Sequence, residues 1–356
     1  MRQAISNIAL VALLIAGTAI AAPPQGAQPA SAASVAAPAD KLSPGDRKRL
    51  EAIQQYQHDL VNVVALRADP DYLLGAAILA RPFKHQMQGL DFDSLSERAA
   101  NAVGAGPVTQ WVRLDACKTD ADCPNAAAYA DLKKQAAGNA AVWLLDMDFA
   151  AVRKDKAAEL AALKKAAAAQ TYDDYYGKAL ADVVKAASVL PPLADTTRGA
   201  HDGQPDSADG VRVFVAFMNT QAYIRPGFGP VDKLCRRATV AKTSGLKSEC
   251  LKLAHTLQWG SSPVARAVGL HMQAELDLDN AAQYEQASRN LSWQVQQYSR
   301  QVRRMLVDPA PAAKWLAMAG SGGTELSLVL ATLRANNIPT DAPADASPAA
   351  AGSSGQ

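Results

Sequence analysis

Residues 138–191, GNAAVWLLDMDFAAVRKDKAAELAALKKAAAAQTYDDYYGKALADVVKAASVLP, decide the fold class of this chain. They read as three helices joined by very short loops. In the last, Tyr172, Tyr175, Tyr176, Ala179, Leu180, Val183, Val184 and Ala187 recur at helical spacing and paint one apolar stripe. Asp173, Asp174, Lys178, Asp182 and Lys185 fall on the opposite face, where Asp174 and Lys178 have the i, i+4 spacing of an ion pair. Thr171 stands at the N-cap position, and Leu190-Pro191-Pro192 stops the helix because proline has no N–H to donate. The middle segment, Lys156 to Ala168, is built of alanine, leucine, lysine and glutamate, with Asp155 placed to cap it. The first, Ala140 to Val152, is apolar nearly all round and broken only by Asp146 and Asp148, so it is expected at the centre of a helical stack.

Trp143 early in one helix, a turn at Lys154-Asp155 and an alanine-rich second helix together resemble a tetratricopeptide-type repeat. Tyr72, Trp111, Trp143 and Tyr176 are separated by 39, 32 and 33 residues, near that family's period of about 34. Three positions depart from its pattern: Met147 stands where the family places a small residue, Lys154 where it places the turn glycine, and Thr171 where it places a closing proline. In overall style the chain also resembles exported bacterial proteins of no assigned function. The fold expected is all-α: stacked antiparallel helical hairpins, either a tetratricopeptide-like α-solenoid or an irregular α-bundle under the same packing rules.

Around this core, residues 1–21 read as a signal peptide, with Arg2 in the n-region, an apolar run from Ile8 to Ala16 and the small-residue site Ala19-Ile20-Ala21. Residues 22–42 are rich in Pro, Ala, Ser and Gln and read as a disordered linker, and residues 337–356 as a disordered tail. An N-terminal helical half is expected over 43–190, a boundary loop over 191–209 and a C-terminal helical half over 210–336. Ser43-Pro44 and Ser262-Pro263 each supply a cap and a first-turn proline. Val211 to Phe217 has strand-like composition, but a lone strand has no visible partner, so a helix is expected there. The long segment from Asn280 to Leu306 places Tyr284, Leu291, Val295, Tyr298, Val302 and Met305 at heptad-like spacing. It is expected to pack on its own domain, with a dimer seam as the alternative.

The four cysteines, Cys117, Cys123, Cys235 and Cys250, are an even count in a chain read as exported, which argues for disulfides. Three connectivities exist, and local spacing favours Cys117 with Cys123 and Cys235 with Cys250; a four-cysteine zinc site would lack a C-x-x-C pair. Asp120 and Asp122 do not continue into a calcium loop, because Cys123-Pro124 follows where further oxygen ligands are needed. The five histidines, His58, His85, His201, His255 and His271, are scattered. Only His271 and Glu275 share a helix-face spacing, and His201-Asp202 sits in the long loop without a nucleophile motif. No catalytic, cofactor-binding or metal residue is assigned. Formal net charge is +2 with no basic stripe among aromatics, which disfavours nucleic acid. Nor is there a polybasic amphipathic segment or a stable membrane anchor. These features point to a periplasmic or secreted scaffold or binding protein whose partner is a protein or peptide. The alternative is an envelope hydrolase whose site forms only in three dimensions.

Overall fold

The computed structural model describes residues 43–343 apart from 84–86, 118–120, 198–199, 202–203 and 222–224. The expected signal peptide and linker therefore lie outside the described residues. The first half comprises α1 (Pro44–Val64), α2 (Pro70–Ala80), α3 (Phe92–Asn101), α4 (Pro107–Val112), α5 (Ala126–Gln135), α6 (Ala140–Val152), α7 (Lys156–Ala168) and α8 (Tyr176–Ala187). The second comprises α9 (Ala208–Gln221), α10 (Gly229–Cys235), α11 (Arg237–Val240), α12 (Leu246–Gln258), α13 (Pro263–Leu276), α14 (Ala281–Val307), α15 (Pro309–Gly320) and α16 (Glu325–Ala335). Between the halves, β1 (Ala200–His201) pairs antiparallel with β2 (Gln204–Pro205) in a two-residue hairpin. The protein is otherwise all-α, and the strand-like stretch 211–217 is helical within α9.

Short polar residues start most of these helices by satisfying N–H groups that have no partner inside the helix. Ser43 accepts from the Asp46 N–H, Asp69 from Asp71, Asp91 from Ser94, Asp155 from Ala158 and Ser262 from Ala265. Thr324 and Ser327 form a reciprocal capping box at α16. Proline occupies the first turn of α1, α2, α4, α13 and α15, where its missing N–H costs nothing.

The helix at the centre is α8, and the physical reason is that it is covered on every side. It packs against α1 and α2 from early in the chain and against α9, α15 and α16 from late in it. The antiparallel hairpins α6–α7 and α12–α13 stack on each other through α7 and α12. Helix α6 is buried as expected, but it packs on α7 and α10 rather than at the hub. Two glycines let backbones approach α8 closely. A Cβ on Gly75 of α2 would collide with the Asp182 carbonyl, and one on Gly177 would collide with the Gly323 carbonyl. A single hydrophobic cluster runs from Ile53 to Leu328, so the apolar core is continuous across the 191–209 loop. Helix α14 spends its apolar face inside the chain: Leu291 and Met305 are buried, and the Tyr298 hydroxyl accepts a hydrogen bond from the Trp315 indole at 3.0 Å.

Three expectations are corrected. The last helix of the opening stretch begins at Tyr176, not near Tyr172, and Thr171 does not cap it. Residues 171–175 are instead tied to other parts of the chain. The Thr171 carbonyl accepts from the Ala140 N–H at 2.7 Å, the Asn139 side chain brackets Asp173, and the Tyr172 carbonyl accepts from the Ser261 N–H at 3.0 Å. Tyr175 adopts left-handed backbone (φ 58°), a conformation no helix of L-residues sustains. Second, Asp174 and Asp182, expected on a solvated face, are both buried, and Lys178 pairs with Asp71 and Asp182 rather than with Asp174. Third, residues 337–343, expected to begin a disordered tail, lie along α14. Trp293, Gln294 and Asn290 donate to the Pro339 and Thr340 carbonyls and the Asp341 carboxylate.

Candidate functional site

The residues singled out by chemistry in the sequence are dispersed. The sulfurs of Cys117 and Cys123 are bonded, with Cα atoms 4.2 Å apart, and those of Cys235 and Cys250 likewise at 5.6 Å, the second pair tying α10 to α12. Asp122 is exposed; Asp120, His85 and the His201 side chain lie outside the described residues. The Nε2 atom of His271 is 3.7 Å from Glu275 Oε1, and both side chains are a little under half exposed. His58 receives a 3.1 Å contact from Asn62 and packs edge-on against Phe83. Among the described residues, no three His, Cys, Asp or Glu side chains gather as metal ligands would, and no helix is long and apolar enough to cross a membrane.

Charge instead concentrates around α8. The guanidinium of Arg225 lies 4.5 Å over the Tyr176 ring, with Nη1 3.2 Å from Glu325 and Nε 4.0 Å from Asp174. Asp174 Oδ1 accepts from the Ser261 hydroxyl and the Tyr176 N–H, while Oδ2 is enclosed without a hydrogen-bond partner. Burial pushes both carboxyls up, and Arg225 opposes that shift. Burial works against the charge of Arg225, but Glu325 and Asp174 together hold its pKa above the usual value. On the α2 side, Lys178 bridges Asp71 and Asp182 at 2.5 Å each, and Lys185 also reaches Asp71. Burial raises Asp182 to about 7 against the pull of Lys178. Elsewhere, burial raises Asp148 of α6 to about 7, relieved only by the Gly227 N–H. Asp174, Glu325 and Asp182 tie α8 to its neighbours, and Asp148 ties α6 to the Gly227 loop.

A concave feature of the surface lies elsewhere, between α1 and α9. Ile53 and Leu50 from α1, Phe214 and Met218 from α9, and Phe83 from the turn after α2 form its apolar walls. It encloses about 40 Å³, room for a few waters at about 10–15 Å³ each and too little for a metabolite. Among the described residues, no titratable side chain lines it. Three carboxamides do: Gln54 at the mouth, and Gln57 and Asn219 deeper in, with 8% and 6% of their surfaces exposed. Asn219 donates from Nδ2 to the Val215 carbonyl at 2.7 Å, and only nitrogen can donate to a carbonyl, so Oδ1 is left as a free acceptor. The Gln57 amide has no hydrogen-bond partner among the described residues, yet neither amide is sealed from solvent. Nearly buried polar groups are normally paired, because leaving them unpaired costs about 1–3 kcal/mol. An unbonded Gln57 amide and the free Oδ1 of Asn219, nearly buried yet open to the groove, are hydrogen-bonding groups that a ligand there can reach.

Sequence reasoning did not find these residues, although a signal was present. Gln57 lies on the same helical stripe as Ile53, Leu60, Val61 and Val64, and Asn219 on the stripe of Val211, Val215 and Met218. An amide inside an apolar stripe is legible; that two such stripes face one groove is not. No protein-family model, curated protein or solved structure matches the chain.

Proposed function

We propose that the protein is an exported binding or scaffold protein of the cell envelope, which holds an uncharged segment of a partner protein across the groove between α1 and α9. The observation that carries this reading is the pairing of apolar walls with two nearly buried amides, one unbonded and one with a free acceptor, in a small recess open to the surface. A segment lying across the surface can place a single apolar side chain in such a recess, while the rest of its contacts spread over the rim. The described lining offers no charge to offset the desolvation of an ionised ligand, which supports an uncharged one. Stacked hairpins, and the resemblance to tetratricopeptide repeats that goes with them, belong to this proposal as a scaffold suited to presenting such a surface. The two disulfides suit the oxidising compartment that the N-terminal residues suggest.

A photo-cross-linking residue in place of Gln54, at the mouth of the groove, tests this against the same residue in place of exposed Glu285 on α14. In an envelope fraction, the Gln54 position is expected to capture one protein through an uncharged apolar segment mapped by mass spectrometry, and the Glu285 position none. Equal capture from both positions, or none from either, would sink the reading. The second reading, a hydrolase, rests on Asp148, a carboxyl raised to about 7 beside the exposed Gly227 loop. Hydrolysis that disappears in Asp148→Asn while the fold persists would favour it.

A further inference from the structure

We infer that the groove reads the main chain of its occupant: the carboxamides of Gln57 and Asn219 recognise a backbone amide adjoining an apolar side chain. This rests on the groove being the binding surface and adds what it selects. A primary carboxamide offers an N–H donor and a C=O acceptor in one plane, which matches a secondary peptide amide through two reciprocal hydrogen bonds. Gln57 has both functions free and is held with only 8% of its surface exposed, so little side-chain entropy is lost on binding. Asn219 is locked by its bond to Val215, which turns Oδ1 into a fixed acceptor for a further N–H. Around them, Ile53, Phe214 and Met218 exclude water and strengthen each bond. The described lining offers no counter-charge to a carboxylate or ammonium ligand, and a purely apolar ligand would leave the Gln57 amide and the Asn219 Oδ1 without a partner. A peptide amide next to a leucine-like side chain satisfies both requirements.

The probe is N-acetyl-leucine N′-methylamide, compared with the methyl ester of 2-acetoxy-4-methylpentanoic acid, which keeps the side chain and both carbonyls but replaces both N–H groups by oxygen. Both are titrated into the full protein carrying 13C-methyl methionine, and the Met218 signal, assigned with Met218→Leu, reports occupancy. The amide is expected to shift Met218 and to bind roughly fivefold more tightly than the ester, as expected for about 1 kcal/mol from one hydrogen bond. Gln57→Leu is expected to abolish that preference while retaining binding of the ester. Because this substitution removes an unpaired buried amide, it is also expected to leave the fold at least as stable, which circular dichroism checks. Equal affinity of amide and ester for the natural protein would overturn main-chain recognition and leave the groove itself standing. A preference that survives Gln57→Leu would overturn the role given to Gln57. No Met218 response to either probe would overturn the inference and the binding reading together.

Discussion

At the scale of single residues, backbone conformation and ionisation lead to two predictions. Lys154 closes the turn between α6 and α7 in left-handed backbone (φ 59°) and is exposed. A Cβ is strained there and a glycine is not. Lys154→Gly is therefore expected to stabilise the protein by about 0.5–1 kcal/mol, read as a higher urea midpoint. Lys154, a departure from the tetratricopeptide pattern, thus holds in left-handed backbone a turn position that a glycine would take without strain. Asp148 makes the second prediction. Its folded carboxyl titrates near 7 and its unfolded one near 3.8. Between those values the folded state keeps a proton that the unfolded state releases, so stability falls as pH rises through that window. Asp148→Asn still accepts the Gly227 N–H and has no proton to lose. The variant should match the natural protein in melting temperature at pH 4 and exceed it at pH 8; equal values at both pH values would show that Asp148 is solvated.

At the scale of elements, the contact between α2 and α8 is the most demanding. Gly75 in mid-helix would by propensity alone be improved by alanine, by about 1 kcal/mol. Here the added methyl would meet the Asp182 backbone, which cannot rotate away as a side chain could. Overpacking of this kind costs about 1–3 kcal/mol, and the measured urea midpoint of Gly75→Ala should fall; a rise would mean the helices have room to separate. The same contact explains why the polar face of α8 was misread. Asp182 and Lys178 have the spacing of a solvated ion-pair face, but Asp71 from α2 completes the network above them. Nothing local in residues 171–187 signals a helix arriving from a hundred residues earlier. The start of α8 failed for a related reason. Asn139 and Ser261 supply hydrogen bonds to residues 171–175 that outweigh the helical preference of that segment.

At the scale of the whole molecule, the continuous core predicts one cooperative unit. Unfolding followed by tryptophan fluorescence and by far-ultraviolet circular dichroism should give coincident urea transitions. Two separated transitions would restore independent halves divided at 191–209. Of the disulfides, Cys235–Cys250 joins two helices across a fully buried contact. Its removal in a Cys235→Ala, Cys250→Ala variant is expected to cost on the order of 3 kcal/mol in the chain-entropy model. Thiol counting in denaturant should find no free thiols before reduction and four after it, consistent with the absence of free cysteines.

Helical spacing, caps and proline positions by themselves determined the all-α class and the bounds of the helices at 140–152, 156–168 and 281–307 to within a residue. That information is local: an apolar stripe and an N-cap act within a few residues. Pairing of the four cysteines also followed, because short separations along the chain limit which sulfurs meet easily. Tertiary structure alone decided that α8 is the hub, that Asp174 and Asp182 are buried, and that Gln57 and Asn219 share one groove. Each of these depends on segments far apart in sequence meeting in space, and burial, the quantity that turns an ordinary amide or carboxylate into a site, exists only once they have met.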